Sequence, residues 1–142
     1  MSSRIDFNEP IPQMIERLKS EHRSFESKIA EIQGSINNDD IAHATEIIRS
    51  MTDKVTRHAV EEEARLMRVI MQKAKDQSEH SIKVMQEHRQ FTEFLDKTIS
   101  QLKNLSQEES AKKIKKFLED SIKHFSEEEE IVFPLALKAD AM

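Results

Sequence analysis

The sequence contains no cysteine, no tryptophan and no tyrosine, and only one glycine and three prolines in 142 residues. Without cysteine there is no disulfide, no iron–sulfur cluster and no thiolate metal site. Without Tyr or Trp, the side chains that usually store a radical are missing as well. Scarce Gly and Pro, beside abundant Glu, Lys, Ile, Leu, Ala and Met, favour long helices over short strands. A basic surface is also lacking. The 22 Lys and Arg against 27 Asp and Glu leave a net charge of −5 with no dense basic run, which argues against a nucleic-acid partner. No stretch approaches the ~18 apolar residues of a membrane span, and "MSSRIDFNEPIP" lacks the apolar centre of a signal peptide. These absences predict a cytoplasmic protein without a membrane partner, and the length suits one domain over residues 1–142.

What is present reads as four helical segments. The first begins at Pro10–Pro12, where proline is tolerated in an opening turn, and is expected to stop at Gly34. Its apolar stripe is Ile11, Ile15, Leu18, Phe25, Ile29 and Ile32, with His22 in line. Asp39 or Asp40 can cap the second segment, whose inward face reads Ile41, Ala44, Ile48, Met51, Val55, His58, Glu62, Leu66 and Val69. Asp76 or Ser78 can cap the third, with Val84, His88, Phe91, Leu95 and Leu102 inward and Thr98 as an irregularity. Ser106 and Glu109 form a capping-box pattern for the fourth, whose face reads Ile114, Phe117, Ser121, His124, Glu128, Val132 and Leu135. Pro134 predicts a kink or an early end about one turn before it. The connections are short, so the expected fold is all-α: an antiparallel up-down-up-down four-helix bundle.

Polar residues interrupt each stripe where a bundle wants leucine: His22, His58 with Glu62, His88, and His124 with Glu128. A spacing of four puts His58 with Glu62, and His124 with Glu128, on one helix face one turn apart. His22, His58 and Glu62 recur 66 residues later as His88, His124 and Glu128, and "SEHRSF" recurs as "QEHRQF". The chain therefore reads as two helical hairpins in tandem, approximately residues 10–74 and 76–140. Burying six such groups without compensation costs about 2–7 kcal/mol for each neutral one and more for a carboxylate. A metal removes that cost by turning imidazoles and carboxylates into ligands. Nitrogen and oxygen donors without sulfur suit iron, manganese or zinc. Two carboxylates near a local twofold axis can each bridge two metals, with two histidines completing each. The positions left open favour iron and redox chemistry over structural zinc.

This pattern of His22, His58-x-x-x-Glu62, His88 and His124-x-x-x-Glu128 resembles the hemerythrin-like, or HHE cation-binding, domain family. The resemblance covers nearly the whole chain and includes "EEIVFPL" after the last acid. It implies a four-helix bundle with a non-haem pair of iron ions, oxo- or hydroxo-bridged, that binds dioxygen or a related small molecule. The oxygen carriers of that family offer a second histidine four residues before the third-helix one, where this chain has Val84 and, in the first half, Leu18. They also place the last acid five residues after the final histidine, which is Glu129 here. Glu128 keeps the internal repeat and is taken as the ligand, with Glu129 as the alternative. The expected function is binding or reduction of dioxygen, hydrogen peroxide or nitric oxide. Peroxide- or nitric-oxide-consuming turnover, an iron- or oxygen-responsive signalling role read by a protein partner or homodimer, and iron storage or handling stay open. A ferritin-type oxidase fits poorly, because Asp40-x-x-His43 is the nearest match to its Glu-x-x-His motif and has no second copy.

The other polar residues receive plainer expectations. The runs Glu61–Glu63 and Glu127–Glu130 are read as solvated faces, apart from Glu62 and Glu128. Glu21 and Glu87 are placed at the surface, with hydrogen bonding to imidazole N–H groups as the other option. His43 is expected to be exposed. His80 lies about 12 Å along the helix from His88, too far to share its metal.

Overall fold

The computed structural model describes residues 5–142, and among them there is no strand. Four helical rods account for the chain. The first is α1 (Ile11–Asn37). The second joins α2 (Ile41–Glu61), a π-helical turn (Glu62–Met67) and α3 (Arg68–Lys73). After a 3₁₀ turn (Lys75–Gln77), the third joins α4 (Ser78–Glu93), a π-helical turn (Phe94–Thr98) and α5 (Ile99–Gln101), ending in a 3₁₀ turn (Leu102–Asn104). The fourth joins α6 (Gln107–Glu127), a π-helical turn (Glu128–Val132) and α7 (Phe133–Asp140). The result is an all-α four-helix bundle. None of the described helices is long and apolar enough to cross a membrane.

Local chemistry sets most of the boundaries. Asp40 accepts from the His43 backbone N–H, and Ser106 accepts from that of Glu109, each satisfying an N–H that the first helical turn leaves free. Two boundaries differ from expectation. The first helix passes through Gly34 and ends three residues later, with Asn38 as its cap. Nothing lies within 4 Å of a Cβ built at Gly34, so neither close packing nor an unusual φ requires glycine there. The third rod has neither Asp76 nor Ser78 as its cap. Gln77 stands in that place without a side-chain cap, because the 3₁₀ turn already leads into the helix.

Up to each π-helical turn burial follows the predicted stripes, except that Leu118 is buried where Phe117 was expected, and beyond the turn it advances by one residue. The second rod buries Leu66, Met67 and Ile70, leaving Val69 half-buried. The fourth buries Val132, Phe133 and Ala136, leaving Leu135 half-buried. In the third, Ile99 takes the inward position and Thr98 is half-buried. A π turn inserts one extra residue, which rotates everything beyond it. The helix therefore does not end before Pro134: the wide turn lets the rod continue past a residue that lacks an N–H and crowds the preceding carbonyl. Proline is not the cause of that turn, because the π turn at Glu62 has Arg68 in the corresponding place.

Two apolar clusters flank mid-bundle. One contains Phe25, Ile29, Ile32, Ile48, Leu95, Ile99, Leu102, Ile114 and Leu118. The other contains Met14, Ile15, Leu18, Leu66, Met67, Ile70, Val84, Val132 and Phe133. Each fully buried side chain of this kind contributes about 1.5–3 kcal/mol. Between the two clusters lies a polar layer.

Candidate metal centre

The polar layer is made of His22, His58, Glu62, His88, His124 and Glu128, none more than 5% exposed. Each rod brings one imidazole, and the second and fourth rods bring the carboxylates from the first residue of their π turns. Two overlapping sets of four donors result: His22, His58, Glu62 and Glu128, and Glu62, His88, His124 and Glu128. Within each set the donor atoms all lie within 4.8 Å of one another. Both carboxylates belong to both sets. Glu62 directs Oε2 to His58 Nε2 at 2.8 Å and Oε1 to His88 Nε2 at 2.9 Å. Glu128 Oε1 lies 3.1 Å from His22 Nε2 and 3.3 Å from His124 Nε2, with Oε2 3.8 Å from His88 Nε2.

Despite these distances, all four carboxylate oxygens of Glu62 and Glu128 are buried without a hydrogen-bond partner. The outer faces of the imidazoles explain why. Each Nδ1–H donates outward to a carboxylate: His22 to Glu129 at 2.7 Å, His58 to Glu21 at 2.7 Å, His88 to Glu63 at 2.8 Å and His124 to Glu87 at 2.8 Å. A proton held on Nδ1 leaves a lone pair on Nε2, facing the carboxylate oxygens. His22 Nε2 and His58 Nε2 also face each other at 3.1 Å. Lone pairs so arranged repel unless a cation or protons lie among them. The donor set and the orphaned oxygens therefore fit metal ions, with no sulfur or main-chain ligand required.

Residues 13–136 match the model of the hemerythrin HHE cation-binding domain. The chain belongs to that family. No curated protein and no solved structure matches it. As a member of the HHE family, it is a cation-binding domain whose His and Glu clusters lie at the bundle centre.

Without a metal ion, protons take the cation's place in this HHE layer. Burial depresses the His58 imidazole, but the Glu62 and Glu21 carboxylates outweigh it and push the group up to about 10. His88 is likewise lifted against burial to about 12 by Glu128, Glu62 and Glu63. His124 is lifted against burial to about 9 by Glu128 and Glu87. Burial pushes the Glu128 carboxyl up, but His124 and the surrounding hydrogen bonds hold it well below the usual carboxylate range. Glu87 is lowered by its bond from His124, and Glu21 by His58 and Arg17 against its burial.

The acidic runs are less solvated than expected. Glu63 and Glu129 each hold an imidazole, and Glu61 is buried beside Arg17. Glu129, the alternative to Glu128, lies on the outer side of His22 and in neither donor set. Glu21 and Glu87 hold His58 and His124 instead of standing free at the surface. The signal for these residues was the 66-residue offset itself, which relates Glu21 to Glu87 and Glu63 to Glu129. His43 is exposed, as expected, and its Nδ1 pairs with Ser35 Oγ at 2.6 Å.

Proposed function

We propose that this HHE domain would hold two iron ions, with Glu62 and Glu128 available to both, and that the pair would bind or reduce a small oxidant such as dioxygen, hydrogen peroxide or nitric oxide. The observation that carries the reading is the sharing of both buried, unpartnered carboxylates between two histidine pairs. His22 and His58 serve one ion, and His88 and His124 the other. An iron pair supplies the electrons that reduce a bound oxidant. The side chains supply the rest. The outer glutamates fix all four imidazoles with Nε2 inward. Phe25, Phe91 and Phe125 pack their rings against histidines and keep the layer dry.

Size selection supports a small oxidant. A cavity of about 20 Å³ adjoins His58, His88 and His124, walled by Phe25, Val55, Ala59, Phe91 and Phe125. That space holds about one water-sized molecule, and its apolar walls disfavour a charged one. The larger cavity that reaches His58, about 530 Å³, lies on its outer side among Arg17, Glu21 and Glu61, away from Nε2.

Metal analysis with absorption spectra, before and after dioxygen, peroxide or nitric oxide, tests the reading. About two irons per chain are expected, with near-ultraviolet charge-transfer bands that change on adding an oxidant. Glu62→Ala removes oxygens facing both histidine pairs and should cut iron content by half or more. Two irons with a spectrum indifferent to all three oxidants would leave cation binding standing and sink the oxidant role.

A further inference from the structure

The hydrogen bonds around the four imidazoles repeat between the halves, but the groups holding the outer carboxylates do not. Around His22 and His58, both outer carboxylates are engaged by arginine. Glu21 accepts at Oε1 from His58 Nδ1 at 2.7 Å and at Oε2 from Arg17 Nη1 at 2.8 Å. Glu129 Oε2 accepts from both His22 Nδ1 and Arg23 Nη2. Arg17 is fixed in turn by Glu9 and Glu61. Around His88 and His124, by contrast, Glu63 and Glu87 each meet an imidazole and, among the described residues, no arginine. The counterpart of Arg17 is Lys83, which pairs with Glu127 and reaches Glu87 through its charge alone, without a hydrogen bond. The counterpart of Arg23 is Arg89, which is exposed.

A carboxylate that also accepts from a guanidinium shares its charge, so it is a weaker acceptor for an imidazole N–H. The imidazole then carries less electron density at Nε2 and donates less to a cation. For His22 the same oxygen serves both donors, which makes the weakening direct. The guanidinium charges act in the same sense, because each lies one carboxylate away from this pair of imidazoles. Clamping Glu21 works the other way by pre-ordering the site. All four imidazoles are already buried and packed, however, so little order is left to gain.

We infer that the two metal positions, alike in their nearest ligands, are unequal. The His88–His124 position takes the first ion, and Arg17 and Arg23 are positioning residues that weaken the His22–His58 position. The inference rests on the two-metal reading above. Partners of metal-bound imidazoles change affinity by about 10–100-fold, so two binding steps about tenfold apart are expected.

The test is anaerobic titration of the metal-free full chain with ferrous iron by calorimetry, with Mössbauer spectra at one and two equivalents. One quadrupole doublet is expected at one equivalent, and a second, distinct one at two. His124→Ala should remove the tighter step and His58→Ala the weaker one. The Arg23 side chain is 58% exposed, so Arg23→Gln leaves the core packing untouched. It should narrow the gap between steps and draw the doublets together, and Arg23→Lys should restore both. Arg17→Gln should narrow the gap further in protein whose helical melting curve is retained. Two equal steps with one doublet overturn the inference but leave the metal centre standing. So do unequal steps that neither arginine substitution moves. Loss of the tighter step in His58→Ala overturns it as well. Absence of any iron binding overturns the two-metal reading beneath it.

Discussion

In the first half of the chain, His58 is followed by Glu62, a π turn and an inward Ile70. In the second, His124 is followed by Glu128, a π turn and an inward Ala136. The halves agree in every polar group of the central layer and in the outer glutamates that orient its imidazoles. They part in the layer beyond, where, among the described residues, Glu21 meets Arg17 but Glu87 meets no arginine, and Arg23 holds Glu129 but Glu63 meets none. The difference teaches where the constraint lies. Four converging imidazoles and two shared carboxylates tolerate no change of register, because a displaced group would be buried without a partner. A guanidinium at the rim stays partly hydrated, and its replacement costs little.

The largest test of the comparison shortens each π turn by one residue. Deleting Ala64 in one half, or the equivalent Glu130 in the other, removes the extra residue, so that an ordinary α-helical turn brings Ile70 or Ala136 to the inward position that the uninterrupted stripe gives to Val69 or Leu135. The segment beyond the turn then keeps its face in the core, so the deletion in the first half should cost little. The deletions should not be equal, however. Without its wide turn, Pro134 meets an ordinary helical turn, which adds about 3 kcal/mol, whereas Arg68 in the first half adds nothing. Denaturant melts of the two variants decide this. Equal losses would mean that Pro134 is not accommodated by the wide turn.

These same turns mark the limit of what the sequence disclosed. The stripes, the caps at Asp40 and Ser106 and all six inward polar residues follow from helical periodicity and the 66-residue offset. The one-residue advance past Glu62, Phe94 and Glu128 does not, since a π turn leaves no mark in an apolar pattern read at 3.6 residues per turn. That is why Val69 and Leu135 were expected inward and Ile70 and Ala136 were found there. Two of the outer glutamates were missed for another reason. Glu63 and Glu129 sit inside acidic runs, where composition suggests a solvated face, and only the cross-rod geometry shows which member meets an imidazole.

A smaller effect concerns the metal-free chain and its dependence on pH. His58, His88 and His124 are raised from 6.5 to about 10, 12 and 9. A raised histidine stabilises the fold fully below its unfolded value near 6.5 and loses that contribution as pH climbs through the folded value. The metal-free melting temperature should therefore fall as pH rises from about 7 to beyond 9, with the His124 contribution lost first. Glu128 is depressed, so its contribution is present above its ordinary 4.5 and is lost as pH falls through its lowered value. Bound metal replaces the imidazole protons, so the alkaline decline should flatten in loaded protein and loading at pH 7 should release protons. Calorimetry in buffers of different ionisation enthalpy measures that release. Loading without proton release would show that the imidazoles are already neutral.

The smallest effect lies at the far end of the bundle, where the repeat also reaches the helix caps. Asp40 accepts from His43 N and Ser106 from Glu109 N, each at 3.0 Å and 66 residues apart. Replacing either by Ala should cost about 1 kcal/mol. Asp40→Ala should cost a few tenths more, because its charge also faces the positive end of the helix. The loss should appear in the melting temperature and not in iron content, since the cluster around Ile32, Ile48 and Leu102 lies between these caps and the histidines. Agreement of the two losses to within about 0.5 kcal/mol would extend the symmetry of the inner layer to the helix ends. A change in metal content in either variant would instead show that the apolar layer transmits strain from the loops to the site.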